Sequence, residues 1–186
     1  MLFAIFVVFM FLLVGLGNPD LKYQHTRHNA GSLFVDWLAD ELKVSGGWEL
    51  KKPLLSRITS HLSSPTPHLY LARPDVFMNN SGRAVAKLVK HFKVSLKYLL
   101  IVHDDLDIPF GQFRLQFDRG AAGHHGVESI IAHLGSQDFW RLRIGISPSH
   151  LVVSPEEFVL SKFTMPELEL LPSLFGDCWA EWERVN

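Results

Sequence analysis

Residues 14–31, VGLGNPDLKYQHTRHNAG, run from the end of an apolar stretch through a glycine turn into Thr26-Arg27-His28-Asn29. A buried strand that stops at Gly15-Leu16-Gly17-Asn18-Pro19 delivers its loop to the carboxyl edge of a sheet, where open α/β folds bind ligands. His28 then stands just before an amphipathic helix, among polar neighbours able to hold an imidazole. Upstream, Met1–Leu16 is apolar apart from Gly15. That is shorter than the roughly 18–20 residues of a transmembrane helix, and it lacks the basic start and small-residue cleavage site of a signal peptide. Phe11–Val14 reads as the end of a core strand. Residues 1–9 are then an extra apolar extension, for which Met10 is an equally sensible start.

Downstream, Leu33, Phe34, Trp37, Leu38 and Leu42 share one helical face over Ala30–Lys43. Ser56–Leu62 and Leu69–Ala72 read as strands around the loop 63–67. Val85, Leu88, Val89 and Phe92 make Asn80–Phe92 a helix, with Asn80 or Ser81 as its cap. Tyr98–Val102 is the most apolar interior strand, with Asp104 following its end, and Phe113–Phe117 is a further strand candidate. Val127, Ile130, Ile131 and Leu134 line a helix, Arg141–Ile146 alternates as a half-exposed strand would, and prolines open helices at Pro155–Leu160 and Pro166–Glu183. Strands alternating with helices predict an α/β fold: one mixed β-sheet sandwiched between α-helices in a single domain spanning 1–186.

Composition narrows the function classes. The chain's 186 residues suit one domain with a substantial core, and 47% hydrophobic with 20% charged residues is an ordinary globular balance. A lone cysteine, Cys178, excludes an internal disulfide framework or a multi-cysteine zinc site and fits a reduced compartment. The net charge of −1 conceals an asymmetry: residues 1–150 carry +4 and residues 151–186 carry −5. Arg83, Lys87, Lys90, Lys93 and Lys97 follow one another with no acid between them, a face suited to phosphates or simply a solvated helix surface.

The residues able to do chemistry stand where elements end: Asn18, His28, Asn79, Asp104 and His124. A histidine with a pKa near 6.5 is largely neutral at physiological pH and serves as a general base. Asp104 would accept the other ring N–H, fixing the tautomer, and the amides of Asn18 and Asn79 would donate to a developing oxyanion. Gly15-x-Gly17 lacks the third glycine of a dinucleotide fingerprint, since position 20 is Asp and Pro19 blocks a helix start. There is no G-x-S-x-G elbow, and Cys178 sits in an acidic helix that disfavours a thiolate. A histidine-assisted water is the nucleophile left. His103, Asp104, Asp105 and Asp107 with His124 and His125 offer a divalent-cation reading, without any fixed-spacing metal motif.

Taken together, VGLGNPDLKYQHTRHNAG at 14–31, RPDVFMNNSG at 73–82, IVHDDLDIPFGQFRLQ at 101–116 and GHHGVESI at 123–130 resemble the bacterial-type peptidyl-tRNA hydrolase family. The resemblance implies that His28 activates a water against the ester joining a peptide to the 3′ end of tRNA, and that Asp104 orients His28. It implies that Asn18 and Asn79 position the carbonyl and the water, that Tyr23 and Met78 line the cleft, and that His124 and His125 contact substrate. No metal or organic cofactor is implied, and the partner is peptidyl-tRNA, in a cytoplasmic monomer of the translation machinery without stable membrane association. Arg83, Lys87, Lys90, Arg114 and Arg119 are the tRNA-binding candidates, on charge. His125 stands where the family usually has Asn, Asp20 where it has Gly, Asp118 in a usually glycine-rich loop and Gln116 for a commonly basic residue. These departures imply an altered turn at Asp20 and weaker tRNA affinity. An RNA-binding protein on the same fold that has lost hydrolysis is the rival reading. The acidic tail, with Leu168, Leu171, Leu174 and Phe175, is expected to form a lid over the cleft.

Overall fold

In the computed structural model, residues 10–61, 68–148 and 153–185 are described. The expected extension 1–9, the strand end at Leu62 and the loop 63–67 lie outside the described residues. Apolar runs with β-branched and leucine side chains form the middle strands, and both their faces are covered. Leu12 and Val14 of β1 (Met10–Gly15) face one core, and Leu13 faces the other. A strand buried on two sides reads as a continuous apolar run, as the interior of a parallel sheet requires.

The remaining strands are β2 (Glu49–Lys51), β3 (Ser56–His61), β4 (His68–Pro74), β5 (Leu99–Pro109), β6 (Phe113–Phe117) and β7 (Trp140–Ser147). They form one sheet in the order β2-β3-β4-β1-β5-β7-β6. β4, β1, β5 and β7 run parallel, β3 and β6 run against them, and β2 pairs antiparallel with β3. Helices α1 (Ala30–Glu41) and α5 (Met165–Val185) cover one face through Phe34, Leu38, Leu171, Phe175 and Trp182. Helices α2 (Ser81–Phe92) and α3 (His125–Leu134) cover the other through Val85, Leu88, Val127 and Ile130. Short α4 (Pro155–Leu160) opens with Pro155, and Ser154 accepts the Glu157 N–H as its cap. The α/β sandwich expected from the sequence is the observed architecture.

The structure corrects four expectations. β7 is buried, not half-exposed: Arg141 and Arg143 are covered as thoroughly as the apolar residues between them. Arg143 donates to Asp105 Oδ2 and Gln116 Oε1 at 2.7 Å each, while Arg141 donates through Nη1 alone, to the Gly120 carbonyl at 3.2 Å. β5 continues through His103-Asp104-Asp105 to Pro109, so Asp104 lies within the strand and not after it. Neither Asn80 nor Ser81 caps α2 through its side chain; Ser81 Oγ instead donates to the Met78 carbonyl at 2.7 Å. The acidic tail is no lid, because Leu171, Leu174 and Phe175 of α5 are buried against α1 and the sheet.

Two close approaches fix where His28 falls. A Cβ on Gly31, in the first turn of α1, would stand 2.1 Å from the Val102 carbonyl oxygen of β5. A Cβ on Gly15 would meet the Gly31 carbonyl oxygen at 2.1 Å. With no side chain at either position, the start of α1 seats directly on β1 and β5. The Ser32 N–H then donates to the Leu16 carbonyl, and the Leu16 N–H to the Val102 carbonyl, at 2.9 Å each. His28, three residues before Gly31, is thereby carried to the carboxyl end of β5.

Candidate active site

The short helical turn Arg27–Asn29 presents His28 to Asp104. Nδ1 of His28 lies 2.9 Å from Asp104 Oδ1 and 3.1 Å from Oδ2. A carboxylate only accepts, so Nδ1–H donates and Nε2 keeps a free lone pair. Burial alone would lower the pKa of His28, but the charge and hydrogen bond of Asp104 outweigh it and raise the pKa above the ordinary value. For Asp104, burial would raise the pKa; His28 and His124 beside it hold the carboxyl far below the usual carboxylate range. The acid is therefore a fixed anion under an imidazole that is ready to accept a proton.

His124 is the third member. Its Nε2 lies 3.1 Å from Asp104 Oδ1, and its Nδ1 accepts the Val127 N–H at 3.3 Å, capping α3. The ligand atoms of His28, Asp104 and His124 lie within 4.8 Å of one another. The three close into a hydrogen-bonded cluster at one wall of a small cleft of about 130 Å³, whose other walls include Leu106, Gly123, His125 and Val159 of α4.

The remaining candidates lie outside this hydrogen-bonded cluster. Asn18 accepts the Met78 N–H on Oδ1 at 2.9 Å, and its backbone N–H donates to Asn29 Oδ1 at 2.9 Å. Its Oδ1 thus committed, Asn18 holds Nδ2 as an oriented donor. Asn18 borders a larger cleft of about 350 Å³, between the carboxyl ends of β1 and β4, which His28 and Asp104 do not line. The smaller cleft is the one that His28, Asp104 and His124 line together. Met78 is buried with its sulfur against Gly126, beside the His124 ring. Asn79 is exposed, and its Oδ1 accepts from Asn80 Nδ2 at 3.3 Å. Tyr23 is half-buried, and its carbonyl accepts from Thr26 Oγ1 at 2.9 Å. Arg83, Lys87 and Lys90 are exposed on α2, with Lys87 Nζ donating to the Pro53 carbonyl at 3.0 Å, and Arg114 and Arg119 are exposed on and after β6.

A sequence model described as "Peptidyl-tRNA hydrolase" matches residues 12–185. The chain belongs to the peptidyl-tRNA hydrolase family. Curated family members named peptidyl-tRNA hydrolase include one from Desulfitobacterium hafniense, 39% identical over 89% of this chain and 86% of its own. Another, from Nitrosospira multiformis, is 40% identical over 95% of this chain and 91% of its own. The crystal structure of the peptidyl-tRNA hydrolase from Acinetobacter baumannii superposes with a TM-score of 0.81 at 32% identity, covering 90% of this chain and 83% of that one.

Within that family pattern the chain's departures have local explanations. Asp20 has φ −70° and ψ 144°, ordinary extended backbone, so this turn has no need of glycine and is not strained by its replacement. Asp118 adopts φ +51°, a left-handed conformation that Asp tolerates better than most residues, and its carboxylate accepts from Gln137 at 2.8 Å. His125 turns outward, Nδ1 3.0 Å from Glu128 Oε2. Arg27 carries no local mark of importance in the sequence, yet it is buried and forked onto both oxygens of Glu167 at 2.8 and 2.7 Å. It also donates to Ser161 Oγ and the Lys162 carbonyl. Its value lies in tying the segment that leads into α5 to the turn that carries His28.

Proposed function

We propose that this chain hydrolyses the ester between a peptide and the 3′ end of tRNA, with His28 as general base and Asp104 as its orienting carboxylate. The observation that carries the reading is the 2.9 Å contact of His28 Nδ1 with a buried, anionic Asp104, in a chain matched along residues 12–185 by its family. Nε2 takes a proton from water as the oxygen attacks the ester carbonyl. Asp104 stabilises the imidazolium that forms, and the proton passes to the departing ribose oxygen. Asn18 Nδ2 and Asn79 Nδ2 serve as donors to the oxyanion, and Met78 and Tyr23 flank the peptide. An aminoacyl ester is already activated, so a placed water, a base and amide donors suffice without a metal or organic cofactor.

The exposed cations Arg83, Lys87, Lys90, Arg114 and Arg119 make sequence-blind phosphate contacts, as an enzyme accepting many tRNAs needs. His125 reaches substrate from the cleft rim. The same reading makes the chain one catalytic domain, acting as a monomer in the cytoplasm where its substrate arises during translation. No helix of the described residues is long and apolar enough to cross a membrane.

The test is peptide release from labelled peptidyl-tRNA, run with and without exhaustive chelation. Turnover that survives chelation is expected. Tight tRNA binding without peptide release would favour the non-hydrolytic RNA-binding reading, and chelator-sensitive release would favour a metal at the His28–Asp104–His124 cluster.

A further inference from the structure

His124 has no nitrogen left for substrate. Val127 N–H is a donor, so Nδ1 of His124 is the bare acceptor; Asp104 is an acceptor, so Nε2 carries the hydrogen. An imidazole so held is neutral and fixed in one tautomer. Its ring lies between two others, with centroids 4.9 Å from His28 and 4.7 Å from His103. His103 donates Nδ1–H to the Asp104 carbonyl at 2.7 Å, and its Nε2 is buried without a partner, so it too is neutral. A charge on His124 would displace the Val127 donor.

We propose that His124 is a positioning residue: its Nε2–H shares Asp104 Oδ1 with His28 and so limits how strongly that carboxylate holds a proton on the base. This inference rests on the reading of His28 as the base. The shared oxygen is the key, because each hydrogen bond to it draws off charge that would otherwise bind the His28 proton. The other ionisable groups around the cluster are His103, Asp105 and Asp107 from β5, Arg143 from β7 (paired with Asp105), His125 from α3 and Glu156 from α4. All are unchanged in the variants below.

Two substitutions separate the two bonds of His124. In His124→Asn the amide oxygen stands near the place of Nδ1 and still caps α3, but nothing reaches Asp104. In His124→Gln the amide NH2 stands near the place of Nε2 and still donates to Asp104, but the cap is lost. The measurement is kcat and KM against pH on N-blocked aminoacyl-tRNA for wild type and both variants. For His124→Asn the acid limb of kcat/KM should move to higher pH by about half a unit, a threefold change in proton affinity, with KM little altered. His124→Gln should restore the wild-type limb while melting at lower temperature. An unmoved acid limb in His124→Asn, or a loss carried by KM in both variants, overturns the proposal and makes His124 a structural or substrate-contacting residue. Should the variants fail to fold, ¹⁵N spectra of the unaltered protein decide. His124 is expected to show the Nε2–H tautomer that its two contacts require, and an Nδ1–H tautomer overturns the proposal. A wild type that folds and shows this tautomer but releases no peptide would instead refute the assignment of His28 as base.

Discussion

At the scale of single residues, the pH dependence follows from signs alone. His28 works as a base only when neutral, and Asp104 raises its pKa above the ordinary histidine value. The acid limb of kcat/KM is thus expected above the pH at which a free histidine titrates, with activity rising as pH rises through it. Asp104→Asn removes the raising influences and leaves burial, which lowers the pKa. Its acid limb should therefore move to lower pH while kcat falls, since an amide neither enforces the tautomer nor stabilises the imidazolium. A pH–rate series checks this, and an Asp104→Asn limb at or above the wild-type position would refute the pairing. The pairing of His28 with Asp104 was legible in the sequence because each sits in a distinctive motif, one just ahead of a predicted helix and the other after a predicted strand. Arg27 and Arg143 were not, because their value comes from carboxylates 140 positions away at Glu167 and across the sheet at Asp105. No local pattern records such partners.

At the scale of elements, the helices were readable from their apolar spacing and strands β1, β3 and β4 from their runs. β5 was harder, since His103-Asp104-Asp105 has the composition of a loop. It stays in the sheet because β7 pairs with it as far as Pro109 and because histidines and Arg143 satisfy its carboxylates. β2, with three residues, is too short to leave a periodicity. The tail misled differently: its apolar residues suggest a lid closing over the cleft, whereas Leu171, Leu174, Phe175 and Trp182 are in the core. At roughly 2 kcal/mol for each such side chain, their burial is comparable to the whole stability of a domain. Truncation after Ser161 should leave a chain without a cooperative melting transition, as calorimetry would show; a folded, active truncation would contradict this packing. Gly31→Ala puts a methyl 2.1 Å from the Val102 carbonyl, where backbone must yield. A cost of roughly 3 kcal/mol is expected. That corresponds to about 6–12 °C in Tm, with activity falling as His28 shifts, and an unchanged melting temperature would argue against the seating of α1.

At the scale of the whole molecule, the sheet order sets β1 between β4 and β5, so the carboxyl-terminal parts of all three strands and the loops they lead into meet at one edge. That convergence brings His28, Met78 and Asp104 together from distant parts of the chain. Charge is divided differently from the net value of −1: the basic excess lies ahead of position 151 and the acidic excess behind it. With five phosphate contacts, kcat/KM should fall on the order of a hundredfold between about 50 and about 200 mM salt. A flat response would remove Arg83, Lys87, Lys90, Arg114 and Arg119 from the tRNA surface. The most direct test of the central claim is peptide release by wild type and His28→Ala side by side, with tRNA binding measured on both. The account predicts rapid release by wild type and a loss of about 10²–10⁴-fold in His28→Ala at unchanged tRNA affinity. Equal rates for the two proteins would contradict it.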